Sequence, residues 1–272
     1  MLFATHASPL PLISGDRLRS YHLMRGLTDL GWRVSLFTLA GDELGRDERL
    51  ALEGLCDQLH VERTPRPRAR FARAALQVVR NRAFQQTFFL RPHARDSLHH
   101  WLGGRPFDAI VVGTLYMLAY VPRSLYGSIL LDSHNSEALR IASMAEAGGL
   151  SPRGVAARLQ RGAVLRYERD AVRSVSRTVA VSETEQAELE RHAPGRVDLV
   201  PNGVDCQALR PRDTVPPGRD VLFVGSLDYG PNVDALEHLV DDVMPLVRGD
   251  ARLLVVGSNP RPAARRAAAR AP

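Results

Sequence analysis

Short apolar runs alternate with longer amphipathic stretches along most of the chain. Residues 2–5, 33–38, 109–112, 129–131, 178–181 and 197–200 are brief, rich in Leu, Ile and Val, and bounded by turn residues. That is the pattern of strands buried in a parallel sheet. Between them the spacing turns helical. From Gly15 to Leu30, the residues Leu23, Leu27 and Leu30 share a face that Leu18 and Tyr21 adjoin, and Gly31 stands where a helix-ending glycine belongs. A long helix is predicted from Gly154 to Val175, with Val155, Leu159, Ala163 and Tyr167 at steps of four, and another from Glu183 to His192. Strand–helix alternation on this scale predicts an α/β fold, a doubly wound parallel sheet with right-handed crossovers.

After residue 200 the pattern restarts. Pro201-Asn202-Gly203-Val204-Asp205 closes the first αβ region, and a Pro-rich connector follows from Pro211 to Pro217. Val221-Leu222-Phe223-Val224 then reads as a new buried strand, followed by a Gly turn, a helix start and one further strand at 253–256. The expected organisation is a complete N-terminal Rossmann-like domain over residues 1–200, a linker over 201–219, and the start of a second, incomplete Rossmann-like domain over 220–272. Two βα units in so few residues bury little apolar surface and leave sheet edges unpaired, so the second domain is expected to continue in a longer parent chain.

Composition narrows the class. No apolar run reaches the ~18–20 residues that a membrane span needs. Met1-Leu2-Phe3-Ala4 opens inside an apolar segment with no basic residues before it, which makes a poor signal peptide. Two cysteines, Cys56 and Cys206, form no metal-binding cluster and point to a reducing, cytoplasmic setting. All 36 basic residues are arginine, which fits a GC-rich coding sequence and cautions against reading the net charge of +6 as function. Nine of these arginines, and no acidic residue, lie from Arg63 to Arg95, so the positive field is local; subtracting them leaves the rest of the chain net negative. Helical spacing there puts Arg66, Arg70, Arg73 and Arg80 near one face and Phe71, Ala75 and Val78 on another. The stretch suits either an anionic membrane surface, peripheral on the inner face, or an ordinary solvated helix. No nucleic-acid-binding motif accompanies the charge.

Chemistry in such a sheet gathers at the carboxyl ends of the strands. After the first strand, Gly15 would let a ligand approach the backbone, and the following helix start favours an anion. A plain turn, with Asp16 favouring the helix N-terminus, is the competing account. After residues 129–131 come Asp132-Ser133-His134-Asn135-Ser136-Glu137, dense in polar groups for a turn. His134 could donate to a phosphate or sugar hydroxyl, and Asn135 and Glu137 could bind hydroxyls. The structural account is an N-cap by Ser133 or Asn135 with Glu137 in the first turn. A metal held by Asp132, His134 and Glu137 lacks a second His or Cys nearby.

Four segments occur in a telling order: Ser14-Gly15-Asp16-Arg17-Leu18-Arg19-Ser20-Tyr21-His22-Leu23, Asp132-Ser133-His134-Asn135-Ser136-Glu137, Val200-Pro201-Asn202-Gly203-Val204-Asp205, and Phe223-Val224-Gly225-Ser226-Leu227-Asp228-Tyr229-Gly230-Pro231-Asn232. Together they resemble a GT-B glycosyltransferase of the retaining family 4 type, and Tyr167-Glu168 followed by Val179-Ala180-Val181-Ser182 fits the same pattern. The resemblance implies hexose transfer from a nucleotide-sugar donor to a glycan or lipid-linked acceptor, as in cell-surface polysaccharide or glycolipid assembly. It implies no metal and no cofactor beyond that substrate. Position by position, it implies that His134 is the catalytic candidate and that Gly15, Gly225, Ser226 and Asn232 are donor-binding. Asp16, Arg17, Asn135 and Glu137 fall on the acceptor side, and Asn202 and Gly203 at the interdomain connection. Two departures stand out. The Arg and Lys that many relatives carry after the Phe-Val-Gly strand are replaced here by Ser226 and the Pro231-Asn232 region. The Glu-x7-Glu motif that holds ribose and sugar is absent after Gly257, so the chain by itself is expected to be inactive. The alternatives are a non-catalytic ligand-binding Rossmann-like module and a nucleotide-sugar epimerase-like protein.

Overall fold

The apolar runs become strands because only the middle of a sheet lets every residue of a short segment be buried. Leu2–Thr5 (β1) and Ser35–Ala40 (β2) are buried at every position. The computed structural model describes residues 1–40, 44–63, 82–211, 218 and 220–270. The expected helical faces of Arg66, Arg70, Arg73 and Arg80 and of Phe71, Ala75 and Val78 lie outside them. The chain divides into two compact units, Met1–Val204 and Asp205–Pro272.

In the first unit β1 is followed by α1 (Gly15–Asp29), β2, α2 (Arg46–Leu55), β3 (Gln58–Arg63), α3 (Phe84–Phe89) and α4 (Pro92–Leu102). Then come β4 (Ile110–Val112), two 3₁₀ segments at Leu115–Tyr120 and Arg123–Ser128, and β5 (Ile129–Ser133). The unit closes with α5 (Glu137–Ala147), α6 (Pro152–Ser174), β6 (Arg177–Ala180), α7 (Glu183–Glu190) and β7 (Val197–Leu199). The seven strands pair in parallel in the order β3-β2-β1-β4-β5-β6-β7. Helices α1 and α2 bury Met24 and Leu52 against Phe3, Val34, Leu36 and Val111 on one face. On the other face Leu98, Leu102, Ala171, Val172 and Leu189 pack on Leu2, Ala4, Phe37, Ile110, Val112 and Leu131. The doubly wound parallel sheet expected from the alternation is therefore present. Its strand order reverses between β1 and β4, which opens a crevice outside their carboxyl ends.

Local readings needed correction where polar residues are buried or apolar ones are not. The inward face of α1 is Met24 with Leu23 and Leu27, whereas Leu30 is 78% exposed. Gly31 does end that helix, with φ +87° and its N–H on the carbonyl of Thr28. On α6, Val155 and Leu159 face out, while Ala157, Gln160, Val164 and Glu168 are buried. Strand β2 begins two residues later than expected. The apolar-run criterion did not find β3, whose polar residues Gln58, His60 and Glu62 alternate with Leu59 and Val61. Strand β5 runs on through Asp132 and Ser133, so those two residues belong to the strand rather than to the turn after it.

In the second unit β8 (Val221–Val224) and β9 (Leu253–Val256) pair in parallel. Helices α8 (Gly230–His238) and α9 (Pro262–Arg270) cover one face through Val233, Leu236, Ala264 and Ala267, joined by Leu227 and Val240 from the segments flanking α8. Leu222, Val224, Leu254 and Val256 point from the other face and are exposed.

Candidate active site

The site begins with a buried cation. Arg19 sits on the second turn of α1 and is 8% exposed. A guanidinium there needs a counter-charge, and Asp132 on β5 supplies one. Its carboxylate takes Nε at 3.0 Å and Nη2 at 2.7 Å. The remaining arm, Nη1, donates to the carbonyl of Val200 and to Oδ1 of Asn202, each at 3.0 Å. One side chain thus ties α1, the end of β5 and the segment after β7.

Asp132 does a second job. Its Oδ2 lies 3.1 Å from Nε2 of His134. Burial, the largest influence, pushes the Asp132 carboxyl up. The hydrogen bonds and charges of His134 and Arg19 more than offset this and hold it below its ordinary value. An ionised carboxylate only accepts, so the imidazole proton belongs on Nε2. In the neutral ring Nδ1 is then an acceptor; it is buried and has no partner among the described residues. Arg19, Asp132 and His134 form a relay that fixes the orientation and tautomer of the imidazole.

Beside it lies His6, the residue that follows β1, with Nε2 3.4 Å from Oδ2 of Asp16. Burial lowers the His6 pKa, and the nearby His134 and Arg17 add to this against the pull of Asp16. Asp16 is held below its ordinary value: burial raises it, but the Ser14 hydroxyl, His6 and His134 outweigh that. Arg17 donates to the carbonyl of Leu10 at 3.2 Å. Gly15 opens α1, and a Cβ there would meet nothing within 4 Å. Its lack of a side chain serves no internal packing and leaves open space in front of the helix end.

Asn135 is exposed at the tip of the turn. Glu137 is buried and takes Nε of Arg140 at 2.9 Å. Tyr116 borders this pair; burial foremost, then Glu137, raises its phenol above the ordinary value. The N-cap of α5 is Ser136, whose hydroxyl accepts from the N–H of Leu139, and not Ser133 or Asn135. Ser133 donates instead to the carbonyl of Asn135. Among the described residues no three His, Cys, Asp or Glu side chains are placed to hold a metal ion.

The structure therefore gathers Gly15, Asp16, Arg17, His134, Asn135, Glu137 and Asn202 around the carboxyl edge of one sheet. Arg19 and His6 join them although the sequence did not single them out, and Asp132, weighed there only as a metal ligand, joins them as the counter-charge. The signal for His6 was its place directly after the first strand. For Arg19 it was only its inclusion in a polar motif. The other donor-side candidates lie in the second unit. There Gly225 and Gly257 end β8 and β9 so closely that an added Cβ on Gly257 would stand 1.9 Å from the Gly225 carbonyl. Asn232 donates to the carbonyl of Ser226 at 3.0 Å, and the Ser226 hydroxyl to Asp228 at 2.6 Å.

The family model of glycosyltransferase family 4 matches residues 18–208, which include Arg19, Asp132, His134 and Asn202. The chain belongs to glycosyltransferase family 4. Solved structures agree on the GT-B fold of this family 4 chain. The lipopolysaccharide outer core galactosyltransferase WaaB, in its apo form, is 12% identical over 99% of this chain and 64% of its own, with TM-score 0.54. HepE of Anabaena, in complex with UDP-glucose, is 12% identical over 93% of this chain and 59% of its own, with TM-score 0.51. OtsA in its apo form gives 12%, 99%, 67% and 0.50. The family 4 chain spans less than two thirds of the length of WaaB and of HepE. No curated protein sequence matches it.

Proposed function

We propose that this chain is part of a retaining hexosyltransferase acting between a nucleotide-sugar and a glycan or lipid-linked acceptor, as in cell-surface polysaccharide or glycolipid assembly. The observation that carries the reading is the Arg19–Asp132–His134 relay beside the open space at Gly15. It fixes an imidazole whose Nδ1 is a buried acceptor with no partner among the described residues, and we assign that acceptor to a hydroxyl of the transferred sugar. Asp16, Arg17, Asn135 and Glu137 are assigned to the acceptor side. Gly15, Gly225, Ser226 and Asn232 are assigned to the donor, and Asn202 and Gly203 to the interdomain connection. Rate enhancement comes from positioning and from stabilising the departing diphosphate. No metal is assigned a role. A UDP-hexose is the first donor to try, since HepE was crystallised with UDP-glucose. The cytoplasmic face of a membrane is the proposed setting; no helix among the described residues is long and apolar enough to cross one.

The test is transfer from labelled nucleotide-hexoses by the protein that carries this chain, with the anomeric configuration of the product read by NMR. His134→Ala should lower kcat about tenfold to a hundredfold, the worth of one or two strong hydrogen bonds, with the circular dichroism spectrum unchanged. Unaltered turnover in a folded variant would sink the assignment, and an inverted product would sink retention.

A further inference from the structure

The turn that carries His134 and Asn135 is held from behind by two carboxylates, one from each of two other helices. A helix start leaves its first N–H groups without intrahelical partners. At α5 the Ser136 hydroxyl already caps the end by taking the Leu139 N–H at 3.3 Å. Glu168 of α6 adds a second, buried set of contacts. Its carboxylate accepts from the Ser136 hydroxyl at 3.0 Å, from the Ala138 N–H at 3.2 Å and from the Glu137 N–H. Glu185 of α7 takes the remaining N–H of the junction, that of Ser136, at 3.2 Å. Glu168 is only 2% exposed. Burying a carboxylate is costly even when it is bonded; here it satisfies the buried N–H groups of Glu137 and Ala138 that the Ser136 cap leaves open.

What the two carboxylates add is registration. They fix residues 136–138 against α6 and α7, and residue 134 lies two positions before that fixed point. We propose that Glu168 and Glu185 are positioning residues that hold the 133–136 turn so that the His134 imidazole stays against Asp132. The proposal rests on the role given above to His134. A corollary is that the N–H groups of Ser136, Glu137 and Ala138 are occupied by the protein's own carboxylates, so this helix end has none of them to offer a donor phosphate.

The test reads the imidazole itself, in the full chain labelled with ¹⁵N-histidine, with the His134 signals assigned by their loss in His134→Ala. Glu185→Ala removes a partly exposed acceptor, and Glu168→Ala removes the buried one. In each, the His134 nitrogen signals should move toward the averaged positions of a free imidazole, while those of His60 on β3 stay in place. Glu168→Gln keeps one acceptor oxygen and should restore most of the shift. His134 signals coincident with wild type in Glu185→Ala, and in Glu168→Ala where it folds, overturn the proposal. If Glu168→Ala does not fold, Glu185→Ala decides it: a moved His134 counts for the proposal, and an unmoved one counts against it. The readout needs no turnover, so a failure of the sugar-contact role would appear separately, as a His134→Ala enzyme of undiminished rate.

Discussion

Glu168 illustrates how much one side chain can carry. Burial, the largest influence, pushes its carboxyl from the ordinary 4.5 up to about 7, and Glu137 pushes the same way; the donors of Ala138, Ser136 and Glu137 pull it back. The folded chain therefore holds this proton more tightly than the unfolded chain does. Between about pH 4.5 and 7 the unfolded state has lost the proton and the folded state keeps it. Stability from this group is thus fully present below the unfolded value and declines as pH rises to the folded one. At about 1.4 kcal/mol per pH unit, the loss across the window is about 3 kcal/mol. Glu168→Gln stays neutral throughout, so its urea midpoint should change less between pH 5 and pH 7.5 than that of wild type. Parallel midpoints in the two proteins would refute this account of Glu168.

At the scale of elements, glycines separate packing from access. Gly257 ends β9 where the Gly225 carbonyl and the Leu227 side chain leave no room for a Cβ, at 1.9 and 2.8 Å. Leu227 belongs to the small core of the second unit, so a forced shift there spreads to its neighbours. Gly257→Ala should cost about 1–3 kcal/mol, as overpacking does, and should speed amide exchange in β8 and β9. Gly15→Ala meets nothing within 4 Å and should leave stability within about 0.5 kcal/mol of wild type. If the two variants proved equally stable, the close approach of the β8 and β9 ends would be wrong. Helix α6 shows the complementary lesson. Its buried stripe includes Gln160, which takes the Phe84 N–H at 2.7 Å, and Glu168, so an apolar count alone finds Ala163 and Tyr167 but misplaces Val155 and Leu159.

For the molecule as a whole, charge is the property that reaches beyond the sheet. The arginines from Arg63 to Arg95 concentrate the positive charge in one stretch of the sequence. If this stretch meets an anionic membrane surface, the chain should sediment with vesicles containing anionic lipid and not with neutral ones. Each basic residue near such a surface contributes about 1 kcal/mol, and salt screens the attraction over ~8–10 Å. Changing Arg70, Arg73 and Arg80 to Gln should release most of the bound protein. Equal binding to neutral and anionic vesicles, or none to either, leaves a solvated arginine-rich segment as the better description.

The amino-acid sequence by itself determined the architecture. Buried parallel strands need short, nearly uninterrupted apolar runs, and these are visible at β1, β4 and β6 without any coordinates; the same runs located β8 and β9, but those strands keep one face exposed instead of being buried. The ending of α1 at Gly31 was equally legible, because a positive φ favours glycine at that position. So was the concentration of polar residues around His134, because a chain spends few of them at a strand end without use. Only the tertiary structure decided what those residues do. Arg19 and Asp132 stand 113 positions apart, and neither differs in sequence from a surface charge until the fold buries both. The same is true of Glu168, legible only as part of a sequence pattern until α6 brings it to the start of α5. Hydrophobic periodicity reports which surfaces leave water; it carries no record of which polar groups leave with them, because their partners come from distant segments and are chosen only by packing.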